Sequence, residues 1–282
     1  MNEDKENSAP APKSEQEKVR VDVLLVRRGL AESREKAQRL ILAGRVHSPS
    51  FPRLKPGLSI PADTTLEIIE PERYVSRGGI KLEAALREFS CTVEGKVCVD
   101  IGASSGGFTD CLLQHGARLV YAVDVGKATL HPSILQNPRV RVLEHTNARY
   151  LAPDLFPEIP SFCTVDVSFI SVLKILPALA RCMGHEAEGI ILIKPQFEAL
   201  RAEATRTRGI IRDPAIHRRI LDEILMTTPS LGWKVIGLIP SPIPGGSGNR
   251  EYLAHITRCS EAQSAYPAID VDAIVRNAFL IH

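Results

Sequence analysis

Beyond residue 80, short and nearly continuous apolar runs alternate with stretches whose apolar positions recur every three or four residues. The runs at 96–100, 119–124, 140–145, 162–167, 189–195, 233–240 and 252–257 predict strands, and helical spacing falls between most of them, notably at 81–89, 108–113, 169–183 and 214–226. Strands apolar on both faces that alternate with helices predict a mostly parallel sheet covered on both sides. The last two runs are joined by S-P-I-P-G-G-S-G-N-R with no helix, so the last strand is expected to be antiparallel.

The pattern before residue 72 is different. Val21, Leu24 and Leu25 form one helical stripe that Gly29 stops; a second helix starts at Ser33, buries Ala37, Leu40 and Ile41, and ends at Gly44. Strand-like runs follow at 45–47 and 65–69, separated by a Pro-rich loop at 49–61. Residues 1–18 carry charges, Ser, Pro and Ala with almost nothing to bury, the composition of a disordered tail. The expected organisation is a tail (1–18), a small α+β domain (19–72), a linker (73–79) between Pro71 and Gly78–Gly79, an α/β domain (80–260) and a C-terminal extension (261–282).

With 282 residues and 44% hydrophobic content, the chain is long enough for one large α/β core and a small second domain. No apolar stretch approaches the roughly 20 residues of a membrane helix, and M-N-E-D-K-E-N lacks the layout of a signal peptide, so a cytoplasmic location is expected. The six cysteines show neither C-x-x-C pairs nor histidines at zinc spacing and read as reduced, structural thiols. Net charge is only +2, yet residues 18–75 hold 11 Lys/Arg against 7 Asp/Glu. Arg34, Lys36 and Arg39 fall off the apolar stripe of the second helix and Arg45 follows it, which gathers positive charge on one surface; any attraction to nucleic acid has to come from such local clustering.

The segment D-I-G-A-S-S-G-G-F-T-D, from Asp100 to Asp110, joins a strand to a helix through a glycine turn that lets backbone approach a ligand. Ser104 stands where a dinucleotide G-x-G-x-x-G turn has its second glycine, which weakens an NAD reading. Asp124, in V-D-V-G, lies where a carboxylate reaches ribose hydroxyls of any adenosine-containing cofactor. The D-x-G-x-x-x-G-G form followed by V-D-V-G resembles S-adenosylmethionine-dependent methyltransferases. Candidate cofactor residues are Asp100, Gly102, Ser104, Gly106, Gly107, Phe108, Asp124, Val125, Asn147 and Asp166. From the turn alone, NAD or no cofactor remain open.

Four further polar residues stand where the fold alone does not require them: Lys81 in R-G-G-I-K-L, Asp166 in V-D-V-S-F-I, Lys194 in L-I-K-P-Q-F-E and Glu251 in G-N-R-E-Y-L. Each taken singly reads as a helix lysine, a helix cap or a surface charge. Together, with Y-V-S-R-G-G and K-P-Q-F-E, they resemble the TlyA (hemolysin A) family over nearly everything after the tail. That family comprises rRNA 2′-O-methyltransferases with an FtsJ-like, Rossmann-like catalytic domain and a Lys-Asp-Lys-Glu tetrad. V-D-V-L-L-V-R-R-G-L, S-R-E-K-A and I-L-A-G-R-V likewise resemble the RNA-binding domain named for ribosomal protein S-four, although H-S-P-S-F-P replaces its usual V-N-G turn.

The resemblance implies S-adenosylmethionine as cofactor and methylation of a ribose, a cytidine by family habit, in ribosomal RNA or a ribosomal subunit. A ribose hydroxyl attacks a methyl sulfonium only once its proton is removed or polarised. Lys194 is the expected general base, since a lysine releases its proton more readily when desolvated or beside a second cation such as Lys81, whereas a carboxylate such as Asp166 opposes that release. Asp166 and Glu251 are expected to position the lysines and the sugar. Phe169 reads as a core aromatic or as pocket lining, and Ser247 and Asn249 as further substrate contacts. No metal is expected, because methyl transfer from a sulfonium builds no large oxyanion charge. The competing readings are a non-catalytic RNA-binding or ribosome-assembly protein, and a hemolysin, for which the sequence offers no membrane-length segment.

Overall fold

A computed structural model of the protein describes residues 17–69, 73–127, 129–259 and 268–281. The chain forms two compact units, Met1–Glu72 and Arg73–His282. Apart from Glu17 and Lys18, the expected tail lies outside the described residues.

The first unit contains β1 (Lys18–Arg20), α1 (Val21–Arg27), α2 (Arg34–Leu42), β2 (Val46–His47), β3 (Ser59–Pro61) and β4 (Glu67–Ile68). Ser33 caps α2 by accepting the Lys36 N–H at 3.2 Å, and Ala37, Leu40 and Ile41 are buried against Leu24 and Leu25. Two antiparallel pairs, β1 with β3 and β2 with β4, close the unit. The 49–61 stretch is therefore not all loop. Its end is a strand whose one fully buried side chain, Ile60, gives no alternation for a sequence to display.

In the second unit, α3 (Gly78–Glu88) leads into β5 (Val97–Ile101), α4 (Gly107–Gln114), β6 (Leu119–Val123), α5 (Pro132–Leu135) and β7 (Val140–Leu143). The chain then returns through β8 (Phe162–Val165), α6 (Leu176–Cys182), β9 (Glu188–Ile193), α7 (Pro195–Glu198), α8 (Arg201–Arg206), α9 (Pro214–Thr227), β10 (Trp233–Pro240), β11 (Tyr252–Arg258) and α10 (Val271–Ile281). The seven strands lie in the order β10-β11-β9-β8-β5-β6-β7. β11 is antiparallel to both neighbours, while β9, β8, β5, β6 and β7 pair in parallel. Alternate residues of β5 face opposite cores: Val97, Val99 and Ile101 join the layer built with α6, α9 and α10, and Cys98 joins the layer built with α3 and α4. Strand order reverses between β5 and β8, which opens a crevice at their carboxyl ends.

Three expectations shift. The 73–79 stretch is built into the second unit: Tyr74 is buried beside Leu82 and Phe108, the Val75 N–H donates to Asp110 Oδ2 at 2.9 Å, and α3 begins at Gly78. No helix starts at Phe169; Ser171 caps a 3-10 turn at Val172–Lys174, and Pro177, which suits only a first helical turn, fixes the start of α6. The C-terminal segment ends in α10, whose Val271, Val275 and Ala278 belong to the main core.

Candidate active site

The glycine turn crosses the mouth of the crevice. Gly102 has φ +85°, and a Cβ there would lie 2.3 Å from the Asp166 carbonyl oxygen, so the β5 and β8 ends can approach only with glycine at this position. Beside them is a cavity of about 440 Å³, lined by Gly102, Ser104, Asp124, Val125, Asn147 and Asp166 among others. Both Asp124 oxygens hold backbone, accepting from the Ser104 N–H at 2.9 Å and the Gly126 N–H at 3.0 Å, which fixes the carboxylate at the cavity edge. Asn147 caps a 3-10 turn through the Arg149 N–H at 3.1 Å.

Four of the expected cofactor residues lie elsewhere. Asp100 points to the α3–α4 side of the sheet, is fully buried, and accepts from Thr109 Oγ1 (2.6 Å) and Thr164 Oγ1 (2.7 Å), so it braces the turn from below. Gly106 caps α4 with φ +94°, Gly107 makes room for Ser76, and Phe108 packs in the core. Burial pushes the Asp100 carboxyl up to about 6, with the two threonines pulling the other way. Because the folded state holds this proton more tightly than the unfolded chain, the group's contribution to stability is greatest below pH 4 and falls as pH rises towards 6. Asp100→Asn should therefore gain stability relative to wild type across that window, by up to about 3 kcal/mol at neutral pH. Denaturant midpoints at pH 4 and pH 7.5 measure this; a difference that is flat with pH would refute it.

The four polar residues singled out in the sequence gather at the carboxyl end of the sheet as two ion pairs. Asp166, just past β8, meets Lys194, just past β9, with Oδ1 and Nζ 2.5 Å apart, and Lys194 also donates to Ser168 Oγ at 3.2 Å. Lys81 from α3 meets Glu251, just before β11, with Nζ and Oε2 2.5 Å apart; these residues are only 8% and 4% exposed. The ladder places Tyr252 opposite Ile193, so Glu251 falls opposite Lys194 one step beyond it. Each lysine thus has its own carboxylate, and the set is electrically neutral.

Phe169 is 91% exposed, has φ +64°, lines the cavity and lies 5.0 Å from the Phe197 ring. Its core reading is thereby overturned. A bulky residue with positive φ and an exposed ring is strained and solvent-facing at once, a combination that concentrates at functional sites. Asn249 is no substrate contact: it is buried, accepts from the Ile211 N–H (3.1 Å) and donates to Gly209 O (2.8 Å), anchoring the glycine loop before β11. Ser247 is exposed in that loop. Arg77, which the sequence reading passed over, donates to Pro244 O of the same loop at 2.6 Å.

In the first unit the expected basic residues Arg34, Lys36 and Arg39 are exposed on α2, while Arg45 is half-buried and donates to Ile69 O at 3.1 Å. The organising residue is Asp22, fully buried. It accepts two bonds from Arg20 (3.0 and 2.9 Å), one from Arg34 Nε (2.9 Å) and one from Gln38 (2.8 Å). The Arg20 guanidinium above all holds the Asp22 carboxyl well below the ordinary carboxylate range. Arg20 was not singled out in the sequence, although its place two residues before a buried acid is visible there.

Residues 74–258 match the model of the FtsJ-like methyltransferase family, and residues 19–47 match the S4 domain. The chain is 42% identical over 251 residues to the 16S/23S rRNA (cytidine-2′-O)-methyltransferase TlyA of Mycobacterium tuberculosis, covering 88% of this chain and 93% of that protein. It is 43% identical over 238 residues to Hemolysin A of Brachyspira hyodysenteriae, covering 84% and 99%. A solved structure from Streptococcus thermophilus, designated a hemolysin, superposes with a TM-score of 0.71 at 44% identity, covering 94% of this chain and 97% of that one. Among the described residues no helix is long and apolar enough to cross a membrane. The chain belongs to the FtsJ-like methyltransferase family, and within it to the TlyA group.

Proposed function

We propose that the protein methylates the 2′-hydroxyl of a cytidine ribose in ribosomal RNA, using S-adenosylmethionine. The observation that carries this reading is the two ion pairs, Asp166–Lys194 and Lys81–Glu251, at the carboxyl end of the sheet, with Asp166 also lining the cavity beside the glycine turn. The relatives named as rRNA (cytidine-2′-O)-methyltransferases support the acceptor.

The cavity suits the cofactor. Gly102 and Ser104 bring backbone to its wall, and the Asp124 carboxylate and Asn147 line it as groups that could meet ribose hydroxyls and an adenine. When bound, S-adenosylmethionine supplies an electrophilic methyl group. The rest belongs to the chain's own residues. Lys194 Nζ, after losing a proton to solvent, takes the proton of the 2′-hydroxyl, while Asp166 and Ser168 fix where that nitrogen points. Lys81, held by the buried Glu251, positions the sugar and its phosphate. The S4 unit holds structured RNA through phosphate and shape, and the target nucleotide leaves its stack to reach the site.

Phe169, with Phe197 behind it, offers a ring for the displaced base. Base stacking on an aromatic ring is worth about 1–3 kcal/mol, so Phe169→Ala should lower kcat/KM for RNA roughly 5- to 150-fold, a larger loss than any in affinity for the cofactor, whose cavity the ring also lines. Steady-state kinetics beside calorimetric titration of the cofactor checks this; equal loss of both would assign the ring to the cofactor instead.

The test of the proposal as a whole is methyl transfer from labelled S-adenosylmethionine to isolated ribosomal subunits and to naked rRNA, followed by mapping of alkali-resistant sites. A single cytidine resistant to alkali is the expected result. Cofactor binding without transfer to any of these acceptors would overturn it.

A further inference from the structure

At the other end of the sheet is a second cluster that methyl transfer does not use. Glu188 is the first residue of β9 and Lys194 follows its last, so six strand steps, roughly 20 Å, separate this cluster from the catalytic end. His255 in β11 lies opposite Ile190, and Glu188 opposite Thr257, which puts His255 and Glu188 on the same face of the sheet. Cys91 reaches them from the segment that follows α3. Its Sγ is 3.5 Å from His255 Nε2 and 3.7 Å from Nδ1, and Nε2 is 2.8 Å from Glu188 Oε2. One ligand atom from each of the three residues falls within 4.8 Å of the other two.

We propose that Cys91, Glu188 and His255 bind one zinc ion, with solvent as the fourth ligand. Zinc–sulfur and zinc–imidazole bonds of about 2.3 and 2.05 Å at a tetrahedral angle put sulfur and nitrogen about 3.6 Å apart. The 3.5 Å separation of Sγ and Nε2 has the length of that edge, but Nδ1 is nearly as close at 3.7 Å, so the sulfur sits over the ring and the imidazole has to turn about its Cβ–Cγ bond to aim Nε2 at the ion. The nitrogen–oxygen edge is a hydrogen bond at 2.8 Å and has to open by about 0.5 Å to admit the ion. A thiolate with an imidazole selects a soft or borderline cation over magnesium or calcium. Lys96 Nζ donates to the other Glu188 oxygen at 2.7 Å, which orients the carboxylate as an outer partner does in built metal sites. On binding, the Cys91 thiol releases its proton to solvent and the His255 proton moves from Nε2 to Nδ1, so one proton leaves for each ion taken up.

The consequence is mechanical. The ion ties together the segment that follows α3, the start of β9 and the middle of β11, the elements that carry Lys81 and adjoin Lys194 and Glu251, and no reacting group touches it.

The test is titration of the chelator-treated full chain with cobalt(II). A near-ultraviolet thiolate-to-cobalt charge-transfer band should rise to one equivalent, with one proton released per ion. The band should vanish in Cys91→Ala, fall in His255→Gln, and persist in Cys259→Ser, which removes another partly exposed thiol. Zinc should raise the Tm of wild type and of Cys259→Ser but not that of Cys91→Ala. Absence of the band in wild type overturns the proposal whatever the variants do, and so does a band that survives in Cys91→Ala.

Discussion

Lys194→Ala should lower kcat for methyl transfer by about 10²- to 10⁴-fold while cofactor affinity stays at the wild-type value. The lysine ammonium pairs with Asp166 at 2.5 Å and stands at the crevice, but it is not among the residues that line the cofactor cavity. Removing it deletes the proton acceptor without deleting cofactor contacts. Asp166 is partly exposed, so water can solvate the carboxylate left behind, and the fold should persist. Asp166→Asn sharpens the comparison. It keeps the lysine but removes the carboxylate that fixes where its nitrogen points. Its kcat should fall less than that of Lys194→Ala. Filter-binding counts of transferred methyl groups, beside calorimetry of the cofactor, separate the two effects. A Lys194→Ala enzyme that retains wild-type kcat would remove this residue from the chemistry and leave the Lys81–Glu251 pair as the group to test.

The parts of this molecule that were legible in the sequence are those where local pattern and long-range packing agree. The strand runs of β5, β6, β8 and β9 are apolar on both faces because helices cover both, and the S-P-I-P-G-G-S-G-N-R loop leaves no room for the helix that a parallel connection needs. Lys81, Asp166, Lys194 and Glu251 were singled out together through the family resemblance, since each alone reads as an ordinary helix or surface charge; the fold brings them to one end of the sheet as two ion pairs. What escaped detection depends on which way a side chain faces. Asp100 ends a strand in the expected place, but the strand's period of two turns its carboxylate away from the crevice and onto Thr109 and Thr164. Phe169 sits amid apolar residues and reads as core until its positive φ turns the ring outward. Asn249 looks like a loop contact, yet two bonds to the 209–211 segment use its amide. Sequence gives the spacing of these groups; the backbone torsions that aim them come only from the fold.

Replacing Arg20 and Arg34 together by alanine should weaken RNA binding and reduce its salt dependence, by a slope of about 1.4–1.8 if each contacts one phosphate. Arg39 alone should do less, because Asp22 holds Arg20 and Arg34 side by side and half-exposed, whereas Arg39 has only its own position on α2. Asp22→Asn separates orientation from charge. The substitution removes a negative charge beside two arginines, so simple attraction to phosphate would make binding tighter. It also removes the acceptor that fixes both guanidinium planes and leaves a neutral amide that cannot satisfy both, so geometric recognition predicts weaker binding. Weaker binding with an unchanged salt slope is the expected outcome, since both cations remain but no longer share one geometry. The Asp22 carboxyl is held well below its ordinary range, so its contribution to stability is present above the unfolded carboxyl value near pH 4 and is lost only as pH falls through its lower folded value; binding by wild type should therefore not change between pH 5 and 8 on its account. Fluorescence anisotropy with a rRNA fragment at several salt concentrations, with folding checked by circular dichroism, measures all three variants. Tighter binding by folded Asp22→Asn would mean that the arginines act as loose charges and that the buried acid serves only the fold.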